Sequence, residues 1–378
     1  MSHLRNLVAA LLFVMQFVAA GAWADGLFVY FGTQRDAPGV GFSLARFDTD
    51  TGHLTRPQLI LAAEAPSFFV IHPDGKHLYT TNFSGTGGVS AYQIDPKTAS
   101  LKLINHLSGG GAGTSYISLD KTGRFVLAAN FATGHIAVFH IQDDGSLGEH
   151  TAYDQHAGSS INPQRQTRTY PHCIITDPTN RFALVADLGL DKLFVYRFDE
   201  KTGTLTANDP PFVTVKPGSG PRHVRFHPNG KWVYLINEMG SSIIGYNWDS
   251  ARGTLAEFQT VSTLPRGFSG ENNAAELEIH PDGKFLYGSN RGHDSIAIFA
   301  IDQTSGKLTL VGHVPSQGKT PRNFALDPTG KWMICTNQFG NSAVVFRIDE
   351  NTGQLTQVGQ GIEVSAPCCE RFLPAPAP

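Results

Sequence analysis

Four residues of this chain carry the side chains that acid–base and ester chemistry needs: His172, Arg222, Glu238 and Arg291. A pair of arginines can hold a carboxylate or phosphate through forked hydrogen bonds and steady a developing oxyanion. An imidazole or carboxylate beside them can act as general base, taking a proton from water or from an acidic C–H. The alternative is that the four simply pair with one another and with buried water, so residue types and spacing leave the chemistry open.

A repeat is what brings them together. The phrase PSFFVIHPDGKHLYTTN from Pro66 returns, altered, from Thr114, Pro171, Pro221, Ala274 and Pro321, giving six copies of one unit. Anchored on the turn glycine (or Asn180), the copies fall at 75, 123, 180, 230, 283 and 330, a mean period of 51. Such a period belongs to propellers and similar arrays. Each copy reads as a strand, a tight Gly turn and a second apolar strand. Asn or Asp follows seven residues past the anchor, and a third strand ends near an Asp such as Asp199 or Asp249. Phrases like Thr202-Gly203-Thr204-Leu205 then turn into a fourth strand. Four strands per unit make a propeller blade.

The first strand of a blade lines the central channel, so register predicts which residues meet. Eight positions before the anchors stand Ser67, Ser115, His172, Arg222, Ala275 and Arg322. The next positions, facing the other way, hold Phe68, Tyr116, Cys173, His223, Glu276 and Asn323. Just past the second strand come Phe83, Phe131, Leu188, Glu238, Arg291 and Gln338. Other blades often carry small or apolar residues there, so His172, Arg222, Glu238 and Arg291 depart from what the repeat requires.

The seventh unit is split between the ends. Residues 27–32 and 42–48 read as a second and a third strand with no first strand before them, while residues 366–373 resemble the Pro-led opening of one. The expected fold is all-β: a seven-bladed β-propeller of four-stranded blades, its ring closed by the C-terminal strand completing the N-terminal blade, which removes open sheet edges. Trp248-Asp249 does not make this a WD-repeat chain, because the dipeptide occurs once, where other units have Phe47-Asp48 or Ile301-Asp302.

Residues 1–24 are set apart from the fold. Arg5, the apolar run 7–20 and Ala22-Trp23-Ala24 match a signal peptide, with cleavage after Ala24 leaving residues 25–378 as one domain. The apolar run is shorter than the roughly 20 residues that span a bilayer, so we expect a periplasmic or secreted protein with no membrane attachment after cleavage. Of the 378 residues only 16% are charged, against 40 Gly, 22 Pro and 25 Phe, which disfavours disorder and coiled coil. A net charge of −3 offers no footprint for nucleic acid. Cys173, Cys335, Cys368 and Cys369 form no CxxC spacing, so no metal site is expected, and the adjacent pair could close only a strained ring; buried or weakly paired thiols are the expectation.

Other features read as scaffold. The stretch Gly109-Gly110-Gly111-Ala112-Gly113 lacks the Lys-Ser/Thr and helix of a phosphate loop. Asp187-Leu188-Gly189-Leu190-Asp191 lacks the ligands of a calcium loop and fits a strand-to-strand turn. The irregular stretch near 156–169 leads straight to His172 and is expected to be a lid or substrate loop.

Several phrases together resemble the seven-bladed propeller lactonases, a family that includes a bacterial 6-phosphogluconolactonase and fungal carboxymuconate-cyclising enzymes. They are His156-x-Gly-Ser-Ser with Arg165-Gln166, Pro171-His172, Ala186-Asp187-Leu188-Gly189-x-Asp191, Gly220-Pro221-Arg222-His223, Asn237-Glu238, Ala275-Glu276 and residues 289–295. The resemblance implies a pocket at one mouth of the channel containing His172, Arg222, Glu238 and Arg291. Arg222 and Arg291 would bind the substrate's anionic part and the oxyanion, and Glu238 or His172 would activate water. His223, Glu276 and Gln166 would support these groups or bind hydroxyls. It implies a small-molecule lactone substrate, no cofactor and a monomer. Export favours a neutral or carboxylated sugar lactone over a cytosolic sugar phosphate. Two other activities fit the same residues: a muconate-lactone-type cycloisomerase, and a non-catalytic exported propeller that binds a ligand.

Overall fold

The computed structural model describes residues 26–34, 40–84, 87–108 and 113–375, so the expected leader at 1–24 lies outside the described residues. Every regular element among them is a strand, and no helix there is long and apolar enough to cross a membrane. Twenty-eight strands form seven four-stranded antiparallel sheets. Six sheets use consecutive strands; the seventh has the order Pro367–Pro374, Gly26–Thr33, Gly41–Asp48, Gln58–Ala62. Leu27 pairs with Pro374 and Gly32 with Cys369, so the C-terminal strand completes the N-terminal blade as expected.

The turn chemistry accounts for the period. The anchor glycines Gly75, Gly123, Gly230, Gly283 and Gly330 have φ between 66° and 77°, and Asn180 replaces glycine at φ 59°. A left-handed residue is what a tight turn between antiparallel strands needs, and Asn is the side chain that tolerates it best. Histidines ahead of three of these turns fasten neighbouring blades. Nε2 of His72, His227 and His280 donates to the carbonyls of Gly123, Gly283 and Gly330 at 3.0, 2.8 and 2.8 Å. Asp74 meets His72 Nδ1 at 3.0 Å and His77 Nδ1 at 2.8 Å, which places the ligand atoms of these three residues within 4.8 Å of one another in one turn.

Second strands such as Phe182–Asp187 and Trp232–Asn237 are buried at every position, because blades pack on both their faces. Buried tyrosines there still satisfy their hydroxyls, Tyr234 donating to Gly306 O at 2.6 Å and Tyr79 to Gly145 O at 3.0 Å. All four cysteines are buried and free, and burial pushes the Cys173 thiol up to about 11, so they behave as small apolar residues.

The closing strand carries an unusual acid. Glu370 is fully buried; one carboxyl oxygen accepts from Thr336 Oγ1 at 2.8 Å and the other has no partner. Burial raises its pKa to about 8 despite Thr336 and Arg371. An acid raised on folding costs stability as pH climbs from its unfolded value, near 4.5, through the folded one. Glu370→Gln is therefore expected to match the wild type in urea unfolding near pH 5 and to become progressively the more stable protein up to pH ~9. A difference that stays constant with pH would show that the carboxyl is not held protonated.

Candidate active site at one mouth of the channel

A register slip at one position in four blades aims the site. Pro171 pairs with Asp187 and Cys173 with Ala186, which leaves His172 as the extra residue of a bulge. The same slip singles out Arg222 between Pro221 and His223, Arg322 between Pro321 and Asn323, and Ser115 between Thr114 and Tyr116. A bulge bends its strand and redirects a side chain, which turns these residues toward the mouth.

There they meet the residues that end the second strands. A cavity of about 230 Å³ is walled by Phe83, Ser115, Phe131, Arg165, His172, Glu238, Asn273, Arg291 and Arg322. Glu238 lies at its centre of charge. One carboxyl oxygen accepts from Arg165 Nη2 at 2.5 Å; the other accepts from Arg222 Nε at 3.1 Å and faces Arg291 Nη2 at 2.9 Å. Burial alone would raise the Glu238 carboxyl, but Arg291, Arg222, His172 and Arg165 hold it well below the usual range. It is an ionised acceptor fully engaged by guanidinium groups, and so a weak base.

The arginines are themselves anchored. Arg222 Nη1 donates to Ala275 O at 2.6 Å, while Arg291 donates from Nε to Asn273 O and from Nη2 to Ala274 O, each at 3.2 Å. Arg222 does not line the cavity; it is buried behind Glu238. Burial and the neighbouring Arg291 and Arg322 pull it down to about 9, which leaves it protonated at neutral pH. Four guanidinium groups thus surround one carboxylate, and the local field is strongly positive.

His172 is the titratable group left uncommitted. Burial, then Arg222 and His223, push its pKa well below the ordinary 6.5, so the ring is neutral. Its Nδ1 is sealed without a hydrogen-bond partner, and Phe131 and His223 meet the ring edge-on at centroid distances of 5.5 and 5.2 Å.

Three other expected site residues lie elsewhere. His223 and Glu276 are paired at 2.8 Å beneath the cavity, where Glu276 also meets Arg225 Nη2 at 3.1 Å and accepts from Asn323. This buried network is a floor rather than a wall. Gln166 is fully buried: its Nε2 donates to Leu188 O at 2.8 Å and Asp191 Oδ2 at 2.7 Å, and its Oε1 accepts from Asn162 N at 3.2 Å. It pins the loop at 156–169 instead of facing the cavity.

That loop is fastened at several points. His156 Nδ1 bonds Asp187 Oδ2 at 2.7 Å, Thr169 Oγ1 the same oxygen at 2.5 Å, and Ser160 Oγ bonds Asp191 Oδ2 at 2.6 Å. The two aspartates of the Asp187–Asp191 turn, which read from sequence as plain turn residues, are the fasteners. Gly189 makes the approach possible, since a Cβ there would stand 1.9 Å from Arg168 O. The loop's purpose in the site is Arg165, which it delivers to Glu238. Sequence reading names Arg165 and Arg322 without assigning either to the site, and both line the cavity. Arg322 had a usable signal, since it occupies the same register position as His172 and Arg222; Arg165 sits in a loop without repeat register.

The family described as "Lactonase, 7-bladed beta-propeller" matches residues 28–372. The chain belongs to this lactonase family. A 6-phosphogluconolactonase of Bacillus subtilis (strain 168) is 34% identical over 299 residues, covering 79% of this chain and 84% of the relative. Among solved structures, a putative 6-phosphogluconolactonase of Bacteroides fragilis NCTC 9343 is 34% identical with a TM-score of 0.85, covering 92% of this chain and 98% of its own. A periplasmic gluconolactonase of Pseudomonas aeruginosa is 31% identical with a TM-score of 0.88, over 93% and 100% of the two chains. These likenesses make the chain a 6-phosphogluconolactonase-like member of a family of lactone hydrolases.

Proposed function

We propose that this lactonase-family chain hydrolyses a sugar-acid lactone with His172 as general base. The observation that carries the reading is a neutral imidazole on the wall of a cavity where three arginines on the wall, with Arg222 buried behind, outweigh one carboxylate. His172 takes a proton from water as the water oxygen bonds to the ring carbonyl carbon. The carbonyl oxygen becomes an oxyanion, which Arg291 and Arg165 steady from the wall. When the ester C–O bond breaks, the ring oxygen leaves with the proton held by His172, and the new carboxyl group gives its remaining proton to solvent, so that the hydroxy acid is released as its carboxylate. Glu238 orients the arginines, Arg222 holds Glu238 from behind, and the His223–Glu276 pair supports His172 from below.

The leader-like residues 1–24 and the periplasmic neighbour support export, so the proposal extends to a lactone met outside the cytoplasm. One experiment tests both parts. The protein, expressed with its leader in a bacterial host, is released by osmotic shock, weighed intact and assayed on a panel of neutral, carboxylated and phosphorylated lactones. The expected result is a mass lacking residues 1–24 and hydrolysis well above the spontaneous rate. Full-length protein retained in the cytoplasm would overturn export; cyclisation of a muconate-type diacid without lactone hydrolysis would overturn the hydrolase.

A further inference from the structure

We infer that Arg322 and Thr320 form a second anion subsite beside the reacting pocket, which selects lactones carrying a phosphate or carboxylate remote from the ring ester. The inference rests on the hydrolase reading above and deepens it.

A second, outer cavity of about 540 Å³ shares Asn273, Arg291 and Arg322 with the first, and its wall includes Gln34, Thr320, Gln338 and Phe339. Arg291 and Arg322 border both, so they stand where the two meet. Three of the four arginines spend donors on Glu238, and two of those also bond backbone carbonyls. Arg322 is different: among the described residues it has no ion pair and no hydrogen bond. A guanidinium offers five N–H donors and no acceptor. Partly buried, and repelled by Arg291, it is an incomplete arrangement that an anionic ligand would complete.

The second observation is backbone strain next to it. Thr320 has φ 61°, a left-handed conformation that a β-branched residue ahead of proline strongly disfavours. The equivalent residue in the blade of Arg222 is Gly220, with φ 66°. Thr320 is held there by its N–H to Asp294 Oδ1 at 2.8 Å and by its carbonyl, which accepts from Gln338 N at 2.9 Å. Retaining threonine where glycine would fit costs on the order of 1–3 kcal/mol. Thr320 lines the outer cavity together with Arg322, and its side chain carries a hydroxyl that glycine would lack. Gln338 and Gln34, joined at 2.6 Å, border the same space.

The test compares Arg322→Gln and Thr320→Gly with the wild type on three lactones: gluconolactone, which is neutral, 6-phosphogluconolactone and the carboxylated lactone of glucaric acid. A charge-assisted hydrogen-bond pair contributes a factor of about 10 to 100. Arg322→Gln is therefore expected to raise KM for the anionic lactones about 10- to 100-fold more than it raises KM for gluconolactone. Thr320→Gly is expected to unfold at higher urea concentration while raising the same KM several-fold, a combination a purely structural role would not give. Loss confined to the phosphorylated lactone identifies a phosphate monoester, loss confined to the glucaric lactone identifies a carboxylate. Equal changes on neutral and charged lactones, or none, overturn the subsite. Calorimetric binding of gluconate, 6-phosphogluconate and inorganic phosphate to wild type and Arg322→Gln reads the subsite without turnover. If no lactone is hydrolysed yet the anions lose affinity in the variant, the hydrolase reading fails and the subsite stands.

Discussion

Glu238→Gln is expected to lower stability by about 3–5 kcal/mol and kcat/KM by about 10²- to 10³-fold on whichever lactone the wild type prefers. The substitution keeps the shape of the side chain and removes its charge. Arg222, buried behind it, then has no counter-ion, and Arg165 and Arg291 lose the acceptor that sets their positions. Two consequences separate this from an ordinary core defect. Millimolar inorganic phosphate is expected to restore part of the lost stability, because an anion in the cavity replaces the missing charge. The sign of the pH dependence is also fixed. A carboxyl whose pKa is depressed on folding contributes stability that is present above its unfolded value and lost only as pH falls through the folded one. With Glu238 held well below 4.5, the gap between wild type and variant should persist at pH 5 and close only in stronger acid. Equal urea midpoints at pH 7 would show that the arginines do not depend on this carboxylate.

The architecture is legible in the sequence because each blade must solve the same problem locally. A tight turn needs a left-handed residue, and the spacing of those residues counts the blades. Even the split blade is legible, since Pro367–Pro374 repeats the opening of an ordinary first strand. The site is legible only as far as register reaches. His172, Arg222, Glu238 and Arg291 stand at fixed offsets from turns, and a bulge common to several blades converts that offset into a direction. Register does not, however, distinguish a residue on the cavity wall from one behind it: Arg222 proves to be buried beneath Glu238, while Arg322, at the same offset, is on the wall. Arg165 is illegible for a different reason. Its position follows from Asp187 and Asp191 gripping His156, Ser160 and Gln166 of its loop across about 25 to 31 residues of sequence, and no local pattern announces a contact of that kind.

Replacing His172 with glutamine is expected to lower kcat by about 10²- to 10⁴-fold with little change in KM, the signature of a lost general base. The two carboxylates and the two other histidines near the channel mouth are already committed. Glu238 has its oxygens occupied by Arg165, Arg222 and Arg291, while His223 has Nδ1 on Glu276 with Arg222 lying against its ring. Glu276 accepts from His223, Arg225 and Asn323, and His156 is bound at both nitrogens, to Asp187 and Tyr196. Among the described residues, only His172 combines a place on the wall with a ring that makes no hydrogen bond through its sealed Nδ1. Because burial, Arg222 and His223 depress its pKa, His172 is in its basic form at neutral pH. The wild-type kcat should therefore be level through neutral pH and fall only in acid, where the ring protonates. In His172→Gln that acid limb should vanish from the residual rate. The same depressed pKa acts on stability with a definite sign: neutral on folding, His172 contributes stability that is complete above the unfolded value near 6.5 and declines as pH falls below it. The glutamine variant should consequently lose less stability than the wild type between pH 7 and pH 5. A variant that keeps both its rate and its acid limb would move the base to another residue and leave His172 as part of the wall.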